Sequence, residues 1–321
     1  MAPGFIRSGS IVLLVFLLVL NSTAGLGQDN YQKTWVREGQ QLQLDISVEF
    51  SPVQREALVA WIDFIAGALL QVYGRWPRPQ WQITVLPASS AASDPIPWAQ
   101  VHRAQIDRVE FFTAPHATKL ALQRDWTGYH ELAHLLIPYR GEGDTWFSEG
   151  LASFYQNILQ ARVGILTEQE TWQNIYAGFL RGRADAQFNG QALAKVSDSM
   201  RENGGFMRVY WSGAWYFLAA DMRLRQQSAG KVSLDDALRK LNDCCAEAQL
   251  SVPQMIEKLD ALNGVLIFQP LYTQVRATTS MPPFESMFSS LGITITNGTV
   301  QLQQEGPGAQ LRRQIIQPKP L

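Results

Sequence analysis

The spacing of apolar and polar positions changes period twice along the chain, and those changes predict its elements. QLQLDISVEF (41–50) alternates with the two-residue period of a half-buried strand. Ser51-Pro52 then opens a run of helical period that reaches about Tyr73 and is ended by Gly74 and Pro77. WQITVL (81–86) and RVEFF (108–112) predict two further strands, with the loop-forming PASSAASDPIPW between them. From Pro115 the period turns helical, predicting helices over 115–137, 145–162, 167–182, 206–227, 233–243 and 251–261. ITITNGTVQL (293–302) returns to alternation, with Asn297-Gly298 at a hairpin turn, and a Pro/Gly-punctuated basic tail follows. No internal repeat interrupts this order. The pattern predicts an α+β fold: a strand-rich part over 30–114, a helical core over 115–291, and a small hairpin with its tail over 292–321.

The first residues follow another rule. MAPGFIR carries one positive charge, IVLLVFLLVL is an apolar run of ten, and NSTAG supplies small residues. That is the pattern of a secretory signal peptide over 1–24, with cleavage after Ala24, and it predicts an exported, periplasmic or secreted protein. The apolar run is short for a membrane span, and an uncleaved N-terminal anchor is the alternative. No other stretch reads as approaching transmembrane length.

With 321 residues, 46% of them hydrophobic, and 17% charged, the chain can bury a large core. Its net charge of −1 and lack of a basic patch argue against a nucleic-acid partner. The two cysteines, Cys244 and Cys245, are adjacent in a helix-like segment, so they read as two small unpaired residues.

One short motif carries chemistry. His130-Glu131-Leu132-Ala133-His134 fits H-E-x-x-H, which chance gives in roughly one of several hundred such chains. On a helix, positions four apart share a face, so both imidazoles can approach one ion at about 2.0–2.1 Å. Glu131, beside the first ligand, can reach a water as general base. Pro138 and the glycines of YRGEGD turn the chain, so a second helix, TWFSEGLASFYQNILQ, can return close by. Glu149 falls among its apolar residues. A buried carboxylate there wants a cation: either zinc shared with His130 and His134, or an arginine such as Arg140 or Arg162. Glu142 and Asp144 lie in the Gly-rich turn and read as solvated. His102 and His116 lack metal spacing and read as surface or loop residues. Asn297-Gly298-Thr299 fits a glycosylation sequon, but the turn explains it without a glycan.

HELAH followed by WFSEGLASFY resembles the gluzincin metallopeptidases and is most similar to the glycyl aminopeptidase family, whose members carry a W-x-S-E-G segment. VYWSGAWYFLAADMRLRQQSAGKVSLDDALRKL (209–241) is similar to that family's Y-x-K-G-A segment, the helix after it and its S-L-D-D run. The likeness spans roughly residues 98–290. It implies a thermolysin-like zincin catalytic domain holding one zinc ion on His130, His134 and Glu149. It also implies Glu131 as general base and Tyr210 as the hydrogen-bond donor to the tetrahedral oxyanion. Read without the resemblance, Tyr210 is a core aromatic.

Four departures accompany the likeness. Fourteen residues separate His134 from Glu149, a shorter connection than is usual in gluzincins related to the aminopeptidases. Ser212 stands in place of the lysine of Y-x-K-G. No glycine-rich segment for a substrate's free amine is recognisable upstream, where RAQIDRVEFFTAP stands instead, and RVEFF reads as an edge strand able to pair with an extended substrate. No PDZ-like segment follows residue 291. The expectation is an exported zinc metallopeptidase acting on peptide or protein substrates. The alternative is a non-catalytic peptide- or protein-binding protein on the same fold. Whether PIPWAQVHR (95–103) lines the cleft is left open.

Overall fold

The computed structural model describes residues 30–317; the expected signal peptide over 1–24 lies outside them. Two strands, β1 (Tyr31–Arg37) and β2 (Gln40–Ile46), form an antiparallel pair. Helix α1 (Pro52–Ala68) follows, started by a reciprocal capping box between Ser51 and Gln54. A short α2 (Leu70–Tyr73) ends at Gly74, so the single helix expected to Tyr73 is broken at Leu69. The run Pro52–Tyr73 is long and apolar enough to cross a membrane by length and composition, contrary to expectation. Half of its apolar window is buried inside the protein, as in a core helix.

Strands β3 (Gln80–Pro87), β4 (Trp98–His102) and β5 (Asp107–Thr113) complete a five-stranded sheet of order β1-β2-β3-β5-β4. Its centre, β2-β3-β5, is parallel; β1 and β4 are antiparallel edges. Alternate residues Leu42, Leu44, Ile83, Val85, Val109 and Phe111 are buried on one face. Trp61 of α1 meets Phe111 there, ring centroids 5.1 Å apart. RVEFF is therefore an interior strand, and β4 takes the edge. Polar or exposed side chains on both faces of β1 and β4 blur the alternation that would have marked them as strands.

The expected helix over 115–137 is three pieces: α3 (Lys119–Arg124), α4 (Trp126–Ala133) and a 3₁₀ turn over His134–Leu136. Asp125 breaks it, with extended backbone and a side chain that accepts from the Thr127 N–H, so it caps α4. Then come α5 (Thr145–Arg162), α6 (Glu168–Ala184), α7 (Leu193–Asn203), α8 (Phe206–Gln227), α9 (Leu234–Cys245), α10 (Val252–Asn263), α11 (Phe268–Arg276) and α12 (Glu285–Ser290). Strands β6 (Ile293–Thr296) and β7 (Thr299–Leu302) form the expected hairpin, with Asn297 and Gly298 both at positive φ.

Two expectations are corrected. The basic tail folds into α13 (Pro307–Ile316): Arg312 is fully buried, bonded to Glu168 and to the carbonyls of Leu291, Gly292 and Gln303. A charge that reads as solvated is here an internal strut. Cys244 and Cys245 are joined to each other, closing a small ring through their shared peptide. They are the last two residues of α9, where the helical constraint on side-chain direction ends.

Candidate metal centre

His130 lies on α4 and His134 opens the 3₁₀ turn that continues it, one helical turn further on. Helix α5 returns beside α4 and presents Glu149 to both. Glu149 Oε2 stands 3.2 Å from His130 Nε2 and 3.7 Å from His134 Nε2. Three ligands held about 2.0–2.2 Å from an ion near the tetrahedral angle stand roughly 3.3–3.6 Å apart, so these separations fit one zinc ion. All three ligand atoms lie within 4.8 Å of one another. Arg140 instead pairs with Glu142, and Arg162 with Asp235, so neither arginine neutralises Glu149.

The imidazoles are held from behind. His130 Nδ1 is 2.9 Å from the carboxamide oxygen of Gln156, which can only accept, so Nδ1 carries the proton and Nε2 keeps its lone pair for a metal. His134 Nδ1 is 2.9 Å from Ser148 Oγ, which can accept in the same way. Arg103 donates to the carbonyl of His134 and pairs with Asp107 at 3.0 Å, tying the end of the ligand helix to β5. Sequence reasoning missed Ser148, Gln156 and Arg103. Only the first two left a trace, as polar residues inside an apolar helix.

A pair of glycines sets the approach of α5 to α8. A Cβ on Gly150 would sit 2.2 Å from Gly213 Cα, and one on Gly213 would sit 2.1 Å from the Trp146 carbonyl oxygen. Only glycine at both positions lets the backbones meet, and the contact falls next to Glu149 and one turn after Tyr210. The Tyr210 hydroxyl thereby reaches the Glu149 carboxylate, and its ring stacks on His130 at 5.9 Å and 23°. Ser212 points away into the core, against Met281 Sδ at 3.4 Å.

Burial and charge set the protonation states. Burial lifts Glu131 to about 7, against the pull of His130. Burial depresses His134 to about 3, keeping it neutral, as a ligand must be. Burial opposes charge on His130 too, but the hydrogen bond and charge of Glu149 outweigh it and raise that imidazole. Glu149 is held below its ordinary value despite burial, by His134 and His130. Burial, then the neighbouring Glu149, pushes the Tyr210 phenol above its ordinary range, so it stays a donor. The arrangement asks for positive charge between Glu149 and the imidazoles, and a divalent cation supplies it.

All five expected residues meet in one cleft of about 640 Å³, whose opposite wall is the edge strand β4, residues 98–102. His102 lies in that wall, 3.4 Å from Glu110, and takes no part in the cluster. Asp144 is not simply solvated: it accepts from Trp146 Nε1 at 3.0 Å and from Tyr272 at 2.6 Å, closing the turn before α5.

No protein-family model and no curated protein matches the sequence. Among solved structures the chain is similar to an aminopeptidase N family protein from Idiomarina loihiensis. That match has TM-score 0.61 and 13% identity, over 84% of this chain and 50% of that one. An M1 zinc metallopeptidase from Deinococcus radiodurans aligns at TM-score 0.47 and 12% identity, over 79% of this chain and 53% of that one. This second likeness is too slight to bear weight. The chain spans about half the length of these structures. At such identity the first match speaks to fold alone, and it bears out the α+β architecture: an N-terminal sheet followed by a helical part.

Proposed function

We propose that this chain is a zinc-dependent peptidase of gluzincin type, most similar in its motifs to the glycyl aminopeptidase family and acting outside the cytoplasm. The observation that carries the reading is the meeting of His130, His134 and Glu149 with Glu131 and Tyr210 in a cleft walled by a free strand edge. His130, His134 and Glu149 would hold one ion, which when bound supplies a Lewis acid that acidifies water and polarises a carbonyl.

The remaining work belongs to the chain's own groups. The carboxylate of Glu131, made more basic by burial, accepts a proton from the attacking water and returns it to the leaving amine. The Tyr210 hydroxyl donates to the oxygen that gains charge as the carbonyl becomes tetrahedral. Gln156 and Ser148 keep the imidazoles aimed. The outer edge of β4 offers unpaired backbone groups to an extended peptide, the part assigned to RVEFF from sequence.

The test is a peptide-library digest by zinc-loaded wild type and Glu131→Gln. Wild type is expected to cut, and the variant to lose about 10²–10⁴-fold in rate with unchanged zinc content. Equal cutting by both, or none by wild type, contradicts the reading. Export rests on the pattern of residues 1–24. Terminal sequencing of protein recovered outside the cytoplasm should then begin at Gly25.

A further inference from the structure

Helix α5 is a core element, with 15 of its 18 residues buried, yet one of its faces is polar. Ser153, Gln156, Asn157 and Gln160 follow Glu149 at intervals that place them on the same side of the helix. All four are at least nine-tenths buried. Polar groups this deep cost free energy unless something bonds to them.

Their internal bonds are incomplete. Asn157 Nδ2 donates to the Ser153 carbonyl at 3.1 Å, and Gln160 Nε2 to the Gln156 carbonyl at 3.0 Å. Gln156 Oε1 serves His130. Ser153 Oγ, Asn157 Oδ1, Gln160 Oε1 and Gln156 Nε2 have no partner among the described residues. These side chains form one wall of a separate cavity of about 440 Å³ whose other walls include the apolar Trp126, Leu166, Met207 and Trp211, so it suits a side chain with an apolar stem and a polar end. Two of its walls, His130 and Tyr210, are also walls of the catalytic cleft, so the two spaces adjoin at the metal centre.

The charge of this cavity has one sign. Arg124 and Arg181 line it, and no carboxylate does. Arg181 is an exposed rim residue lying over Trp211, 5.1 Å from the ring centroid. Arg124 is also exposed, its acidic neighbour Glu170 standing 3.8 Å away. Hydroxyl and carboxamide groups at the wall bond both donors and acceptors, while the arginines repel cations. A wholly apolar side chain would fit the apolar walls but would shut water away from the polar groups of α5 without bonding to them.

We propose that this cavity is the specificity pocket of the peptidase, taking a carboxamide or carboxylate side chain, glutamine or glutamate, beside the scissile bond. The proposal rests on the peptidase reading above. Its test separates the two by measuring binding without turnover. Zinc-loaded Glu131→Gln protein is titrated calorimetrically with blocked alanine hexapeptides carrying one Gln, Glu, Leu or Lys at each position in turn. At one position the Gln and Glu peptides are expected to bind about tenfold more tightly than the Leu and Lys peptides. Adding Asn157→Leu with Gln160→Leu should erase that preference. Adding Arg181→Glu should weaken the Glu peptide about tenfold and leave the Gln peptide unchanged. If the buried double variant does not fold, the exposed Arg181 variant decides. Equal affinity for all residues at every position, or a preference that survives the pocket variants, overturns the proposal. The same peptides, each with free and with blocked N-terminus, offered to wild type report cutting separately: selective binding without cleavage of either form keeps the pocket and removes the peptidase, and cleavage without selectivity does the reverse.

Discussion

Helix α5 takes part in two charge clusters, one buried and one opening on the cleft, and they differ in what closes them. Toward its C-terminus Arg162 and Asp235 stand 2.9 Å apart, each side chain 2% exposed. Tyr155 donates to Asp235 at 2.6 Å, and Arg162 donates to the carbonyls of Gln71 and Ile315. In that cluster the two charges answer each other within the protein, although Arg162 Nε makes no bond of its own among the described residues. Near the N-terminus Glu149 faces two imidazoles whose far nitrogens are already held, beside an open cleft and with no arginine paired to it. Helix α5 thus meets one carboxylate, Asp235 of α9, that serves as a strut, and carries another, Glu149, placed as a ligand would be. What separates them is the direction of the partner lone pairs together with exposure, 17% for the Glu149 side chain at the cleft against 2% for Asp235.

The sharpest way to break this contrast is to remove one acid from the closed cluster. Asp235→Ala leaves Arg162 buried without its counter-charge and should cost about 3–5 kcal/mol of stability, read as a lower denaturant midpoint, with zinc content per folded molecule unchanged. A loss of zinc instead would mean that the closed cluster supports the metal as well. Next in size, Tyr210→Phe keeps the ring on His130 but removes the hydroxyl. The turnover number should fall about 10²–10³-fold at constant zinc content, the scale of losing one oxyanion donor. An unchanged rate would return Tyr210 to the core aromatic that its own sequence context suggests. The smallest effect is expected behind the ligands. Ser148→Ala frees the Nδ1 side of His134 and should weaken zinc about 10–100-fold in a chelator competition, without unfolding the chain.

The open cluster was far more legible in the sequence than the closed one. The spacing of His130 and His134 fixes their shared face, and a glutamate among Trp146, Phe147, Leu151 and Phe154 signals a buried need for charge. Nothing local says that Arg162 will meet Asp235, because that pairing joins residues 73 apart in the chain. The same limit hid Arg312, which reads as part of a basic tail until Glu168 and three carbonyls gather around it. Strands β1 and β4 were illegible for another reason: their burial alternates only between half-buried and exposed, and residue type does not follow it, with Lys33 on the half-buried face and Val36 and Trp98 exposed. RVEFF was readable as a strand but not as an interior one, since order within a sheet is a non-local property. Gly150 and Gly213 stood inside the quoted motifs, yet their reason, two helix backbones in contact, is visible only once both helices are placed.

A bound metal is what His130, His134 and Glu149 most directly require. Wild type and Glu149→Ala, each refolded with excess zinc and dialysed, should be compared by elemental analysis per mole of folded protein. One zinc per wild-type chain and next to none in the variant is the predicted result. Equal zinc in the two proteins, or none in wild type, would contradict it.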